Sequence, residues 1–192
     1  MTQIFGNFIE RSHDVEFLII NFSPSSIPLQ ERWRSNGLSA DFLGDYWAVF
    51  FPADDTAGPN KRDEVKGAVS YIANELLENA MKFSYSPAQF PISIALHLYG
   101  DNKMRFYVSN SIDPQNVAEF QSFIQQLLTA DPGELYIEQV EKSAEDDLEH
   151  SQLGLLTMIN DYGASLAWKF ETIPQEHGQQ FTVVTTMVQL TI

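Results

Sequence analysis

The chain has 192 residues, with 11 Lys and Arg against 26 Asp and Glu, for a formal net charge of −15. Phosphate neutralisation needs clustered Lys and Arg, so this balance excludes non-specific nucleic-acid binding and disfavours an anionic membrane surface. With 44% hydrophobic and 19% charged residues, the chain can bury the core of one ordinary domain and is not a disordered acidic tail. Cysteine is absent, which removes disulfide scaffolds, thiolate zinc sites and cysteine nucleophiles. The first residues carry acids and no apolar signal-peptide core, and no run approaches the ~18 apolar residues of a membrane span. A soluble, cytoplasmic protein is expected.

In chain order, residues 15–22 (VEFLIINF) read as a buried strand stopped by Ser23-Pro24-Ser25-Ser26. A short helix, LQERWRS, is expected to end at Asn36-Gly37 with Gly37 as C-cap, and Ser39 to cap a second helix over 40–51. Phe42, Leu43, Tyr46, Trp47, Val49 and Phe50 make that second helix apolar on more than one face, as in a sandwiched or interfacial helix. Pro52 and the run ADDTAGPN form a linker. Residues 61–84 carry the clearest helical period, through Val65, Ala68, Val69, Ile72, Leu76, Ala80 and Phe83. Residues 91–100 and 104–110 read as two strands of a hairpin turning at Gly100-Asp101-Asn102-Lys103. Helices follow over 114–129, 132–149 and 153–163, the last closed by Gly163. Residues 164–173 and 179–192 complete the chain as strands. Antiparallel strands with helices on one face define an α+β, two-layer sandwich. The expected organisation is an N-terminal extension over 1–60, holding a strand and two helices, and a core domain over 61–192.

One helix concentrates polar chemistry. Within Glu75-Leu76-Leu77-Glu78-Asn79-Ala80-Met81-Lys82, Glu75 and Asn79 are four apart and share a face, with Lys82 a further turn along. A carboxylate can orient or deprotonate a nucleophile, a carboxamide oxygen can ligate Mg²⁺, and an ammonium can pair with phosphate. The bland alternative is a solvated polar face of an amphipathic helix.

This octapeptide resembles the N-box of the GHKL (histidine-kinase-like) ATPase superfamily, which reads Glu-Leu-x-x-Asn-Ala-x-Lys. A later superfamily motif, Gly-x-Gly-Leu-Gly-Leu, opens a helix, and here His150-Ser151-Gln152-Leu153-Gly154-Leu155-Leu156 stands in its place. The resemblance covers about residues 61–190. It implies the two-layer Bergerat-type sandwich, with a mixed, mostly antiparallel sheet. It also implies Mg-ATP or ADP as cofactor, Glu75 as catalytic base and Asn79 as Mg²⁺ ligand. Asn79, Lys82, Asn110, Gly154 and Leu155 would then hold the nucleotide.

The sequence departs from that pattern in two places. The superfamily's Asp-x-Gly-x-Gly is replaced by Asn110-Ser111-Ile112-Asp113, with no glycine, and His150 and Gln152 stand where two further glycines occur. The segment 134–149, where an ATP lid lies in the superfamily, holds seven acids (Glu134, Glu138, Glu141, Glu145, Asp146, Asp147, Glu149) and Lys142. Such a segment repels a triphosphate that lacks Mg²⁺. It is a solvated face, a docking surface for a basic partner, or a lid that a partner closes.

The size and the lack of a His-box helix pair point, within the superfamily, to anti-sigma-factor-type serine kinases and the SiaB-like group, which act on STAS-like partner proteins. Two readings follow: a serine/threonine kinase of a bacterial partner-switching pathway, or a catalytically inactive relative that sequesters its partner. A third is an α+β interaction protein unrelated to that superfamily. His13, His97, His150 and His177 have no metal-ligand spacing. Arg32 and Arg34 flank Trp33 as plain surface cations or, alternatively, as groups that reach a phosphate or a partner carboxylate. The aromatic N-terminal set of Trp33, Phe42, Tyr46, Trp47, Phe50 and Phe51 is core or, alternatively, a homodimer or partner interface.

Overall fold

Alternation along the strands sets the two faces of the sheet. In β4 (Lys103–Ile112), Met104, Phe106, Val108, Asn110 and Ile112 point to one face, and Arg105, Tyr107, Ser109 and Ser111 to the other. The computed structural model describes residues 1–12, 15–23, 33–51, 60–100, 102–145, 152–174 and 180–192. The remaining strands are β1 (Thr2–Phe5), β2 (Glu16–Phe22), β3 (Ile92–Tyr99), β5 (Ser165–Pro174) and β6 (Gln180–Thr191). They form one six-stranded sheet in the order β1-β5-β6-β4-β3-β2. Every pairing in it is antiparallel, so the sheet expected to be mostly antiparallel is wholly so among the described strands.

Among the described residues five α-helices cover one face and none the other: α1 (Trp33–Ala48), α2 (Lys61–Lys82), α3 (Val117–Thr129), α4 (Pro132–Glu145) and α5 (Gln152–Tyr162). Their buried residues, among them Trp47, Ile72, Leu77, Ile124 and Leu156, join Ile94, Leu96, Phe106 and Trp168 of the sheet in one core. The expected α+β two-layer sandwich is therefore the observed architecture. Asn60 caps α2 by accepting from the Arg62 N–H at 3.1 Å, with Asp63 and Glu64 in the first turn and Lys82 in the last, the charge order that the helix dipole favours. Gly163, at φ +62°, closes α5 as its position implied. Phe83, expected in the core, is 40% exposed at the end of α2.

The N-terminal region corrects two expectations. A single helix, α1, runs through Asn36, Gly37 and Ser39, so neither Gly37 nor Ser39 is a cap. The described part of residues 1–60 thus holds two strands and one helix, not a strand and two helices. Tertiary packing outweighs the glycine: Asn36, Ala40, Leu43 and Trp47 are buried. A Cβ at Gly44 would come within 2.9 Å of the Lys66 carbonyl and closer still to the Ser70 hydroxyl, so α1 lies tightly against α2 there. The aromatic set divides, with Trp47 fully buried while Phe42 and Phe50 are exposed, as are the aliphatic Leu38 and Val49.

The second difference is β1, which the sequence pattern did not reveal. It pairs with β5 at one edge of the sheet, while β2, next in the chain, pairs with β3 at the opposite edge. The segment between them crosses the helix-free face. Phe8 and Ile9 pack on Ala95, Tyr107, Ala167 and Met187, one residue from each of the four inner strands. The Tyr107 hydroxyl donates to the Ile9 carbonyl at 2.9 Å, and Lys169 pairs with Glu10 at 3.0 Å. Burial, with Tyr99 alongside, pushes the Tyr107 hydroxyl pKa up, so it stays a donor across the ordinary pH range. Gly6, at φ +74°, makes the turn onto this face, where a Cβ would meet the Leu166 carbonyl at 2.9 Å.

Candidate functional site

A cavity of about 210 Å³ opens between α2, α3, α5 and the helix-covered face of β4 and β6. Its flanks are apolar: Leu76, Ala80 and Phe83 from α2, Phe120 and Phe123 from α3, Leu155 from α5, and Val108, Ile112 and Val184 from the sheet. Asn79, Asn110, Asn116, Glu119 and Thr186 supply the polar groups. An apolar slot with a few convergent polar side chains is the usual form of a small-molecule site.

Asn110 sits at the sheet end of this cavity and is 6% exposed. Its Nδ2 donates to the Ser111 carbonyl at 2.9 Å, which leaves the amide oxygen as the acceptor it can present. Asn79, one turn before the end of α2, faces the same space, and its backbone carbonyl accepts from the Phe83 N–H at 3.0 Å.

Glu75 lies one turn earlier on α2, outside the cavity wall, and meets α5. A Cβ at Gly154 would lie 3.0 Å from Glu75 Cδ and nearer still to its Oε2, so the carboxylate rests directly on the Gly154 backbone. Burial pushes the Glu75 carboxyl above its ordinary range, and neighbouring Glu78 adds to the rise. Tyr71 stacks on Tyr162 at 5.2 Å one turn further back and ties the same pair of helices together. Gly154 is in the first turn of α5, where backbone N–H groups lack helical partners and attract anions.

Of the residues singled out from the sequence, Asn79, Asn110 and Leu155 converge on the cavity wall. Glu75 and Gly154 meet each other beside it. Lys82 is not on the wall; its ammonium lies 5.4 Å from the centre of the Phe83 ring. His13, His150, His177, Arg32 and the acids Asp146, Asp147 and Glu149 lie outside the described residues. His97 is fully buried on the helix-free face, stacked on Phe17 at 5.3 Å. Among the described residues no cluster of three or more His, Asp or Glu side chains forms a metal cage.

Sequence reasoning missed Asn116, Glu119, Phe120, Phe123 and Thr186. One signal for Thr186 was available. In the rows Met104-Phe106-Val108-Asn110-Ile112 and Val184-Thr186-Val188-Leu190, only Asn110 and Thr186 are polar, and the strand register sets Thr186 opposite Val108 and Asn110 opposite Val184. Polar interruptions on adjacent strands within these apolar stretches, with Thr182 continuing the β6 row opposite Ile112, mark a place where the core gives way to a site.

No protein-family model matches the sequence, and no curated protein matches it significantly. The fold itself has a counterpart among solved structures. A chain of the SiaB-SiaC complex from Pseudomonas aeruginosa is similar with a TM-score of 0.51 at 16% identity, over 91% of this chain and 89% of that one. At that identity the likeness establishes a shared fold across nearly the whole of both chains. Among the described residues no helix is long and apolar enough to cross a membrane.

Proposed function

We propose that this chain is a regulatory protein of a bacterial partner-switching pathway that binds Mg-ATP or ADP and phosphorylates or sequesters a STAS-like partner. The observation that carries the reading is convergence. Asn79, Asn110 and Leu155, far apart in sequence, were singled out as nucleotide contacts and line one cavity. The fold shared with a chain of a SiaB-SiaC complex supports a role exercised on a partner protein.

The residues fit the cofactor on chemical grounds. The apolar flanks suit a base, and the Asn110 amide oxygen can accept from an exocyclic amine. The Asn79 carboxamide is a hard oxygen donor of the kind that holds Mg²⁺ together with substrate phosphates. First-turn amides of α5 near Gly154 suit a phosphate. In the kinase form Glu75 acts as the base that takes the proton from a partner hydroxyl, and its raised pKa suits that task.

A second reading has its own observation. Glu75 rests on Gly154, so a carboxylate already stands against the first turn of α5, and Lys82 is turned toward Phe83. That arrangement favours a catalytically inactive module that acts by binding its partner. The exposed apolar residues Leu38 and Phe42 of α1, with Val49 and Phe50 just past its end, are the surface for any homodimer, which sedimentation at increasing concentration would reveal.

Thermal denaturation with MgATP and MgADP tests the first reading. Ligand at 100 times Kd should stabilise the protein by about 2.7 kcal/mol, and Asn79→Ala should abolish the effect. No shift at millimolar nucleotide leaves the sequestering module. A shift that survives Asn79→Ala moves the metal site elsewhere.

A further inference from the structure

The helix α4 carries more apolar surface than its packing uses. Leu135 is buried against α5 and the core, and the Asn160 amide donates to the Pro132 carbonyl at 3.2 Å, so one side of α4 is fixed inward. At about 100° per residue, with Leu135 as origin, Tyr136, Val140 and Ile137 fall at roughly 100–200°. Glu134, Glu138 and Glu141 fall together at about 240–300°. The helix therefore has three stripes: one buried, one apolar and one acidic. The apolar stripe is open to solvent, with Tyr136 37%, Ile137 61% and Val140 41% exposed.

Such striping needs an explanation. A surface helix ordinarily confines its apolar residues to the side facing the core. Here Ile137 and Val140 lie off that side, where water would favour polar residues, while the carboxylates are gathered beside them rather than spread around the helix. An apolar ridge bordered by one sign of charge is the pattern of a protein-binding surface, with the ridge supplying burial and the charge selecting the partner.

We infer that the exposed side of α4 docks a partner protein through an apolar segment flanked by Lys and Arg. Charge complementarity chooses this occupant over a second copy of the chain, whose own −15 charge would set like against like. The inference rests on the partner-regulating reading above and names the surface and the partner's chemistry.

The test uses a photoreactive benzoylphenylalanine at position 137 of the full chain, expressed in its native cells, with the same label at Leu38 on α1 for comparison. The expected result is a protein adduct specific to position 137 whose cross-linked peptide is apolar and bordered by Lys or Arg. The triple variant Glu134→Lys, Glu138→Lys, Glu141→Lys should lower its yield by about tenfold or more, and reversing the basic residues of the captured peptide to Glu should restore it. Adducts to a second copy, to lipid, or none above the Leu38 control overturn the inference, as does a yield indifferent to charge reversal. All three substitutions lie on the solvent side, and an unchanged melting temperature verifies the fold. Nucleotide binding is read separately by thermal shift, so loss of docking with that shift intact overturns this surface alone. Docking with no nucleotide shift keeps the surface and removes the kinase.

Discussion

The Glu75 carboxylate fills the space that a side chain at position 154 would occupy, joining the middle of α2 to the first turn of α5. The contact is made by the far end of a flexible side chain, so a methyl group at 154 can push it aside. Gly154→Ala also gains about 1 kcal/mol of helix propensity. The net change in stability is therefore expected within about 1 kcal/mol by urea denaturation. The larger effect is on titration, because a displaced Glu75 returns to water.

That titration has a definite sign. The folded-state pKa of Glu75 is raised from 4.5, so the folded protein holds this proton more tightly than the unfolded chain does. Its contribution to stability is fully present below the unfolded pKa and is lost as pH rises through the folded value. Glu75→Gln removes the dependence, and should gain stability over the wild type as pH rises across that window. Gly154→Ala should flatten the profile in the same way. A wild-type slope in both variants would show that another group titrates there.

Asn110 tests the polar end of the cavity. Its amide N–H meets the Ser111 carbonyl inside the protein, whereas an ionised Asp would set an acceptor against that acceptor. Asn110→Asp should cost about 1–3 kcal/mol in urea denaturation at neutral pH. An aspartate thus cannot stand at position 110 without loss. A neutral outcome would mean that the amide is turned the other way.

Two glycines that look alike in sequence should respond oppositely to alanine. Gly37 lies in the interior of α1 with nothing within 4 Å of an added Cβ, so Gly37→Ala should stabilise by about 1 kcal/mol. Gly6 has φ +74° and an added Cβ would meet the Leu166 carbonyl at 2.9 Å, so Gly6→Ala should destabilise by about 1–3 kcal/mol. Equal effects of the same sign in thermal melts would contradict both assignments.

The segment crossing the helix-free face is held in part by one phenol. Tyr107→Phe deletes the hydrogen bond to the Ile9 carbonyl and should cost about 0.5–1.5 kcal/mol. Hydrogen exchange should accelerate over residues 8–11 before it does in β4. Uniform acceleration through the sheet would mean that this segment opens only with global unfolding.

The sequence made the paired strands and the long helix legible because each buries one face with a regular period, as in Val65, Val69, Ile72 and Leu76 of α2. It misled at Asn36-Gly37, where local propensity favoured a stop and burial of Leu43 and Trp47 against α2 overrode it. It hid β1, since the four residues of TQIF are too short for a period to emerge and only their partners on β5 make them a strand. Spacing singled out Glu75 and Asn79 because both lie on one helix, and of the two Asn79 lines the cavity while Glu75 meets α5 beside it. The contributions of Asn116 and Glu119 depend on how the start of α3 is brought to α2, which no local pattern encodes, whereas Thr186 left one signal, a polar residue in an apolar strand row.

The pairing of β1 with β5 also sets a timetable. Thr2 pairs with Glu171, so β1 has no partner until β5, the last but one of the described elements, has been synthesised. β2 needs β3 and α1 needs α2, and both partners arrive much sooner. During synthesis the nascent sheet can therefore assemble from its β2 edge inward while β1 and the residues just after it stay undocked, leaving Phe8 and Ile9 open to chaperones. Docking of β1 then waits on β5 rather than on its own short tether to β2, and it covers the open side of β5 and lays Phe8 and Ile9 on the helix-free face in one step.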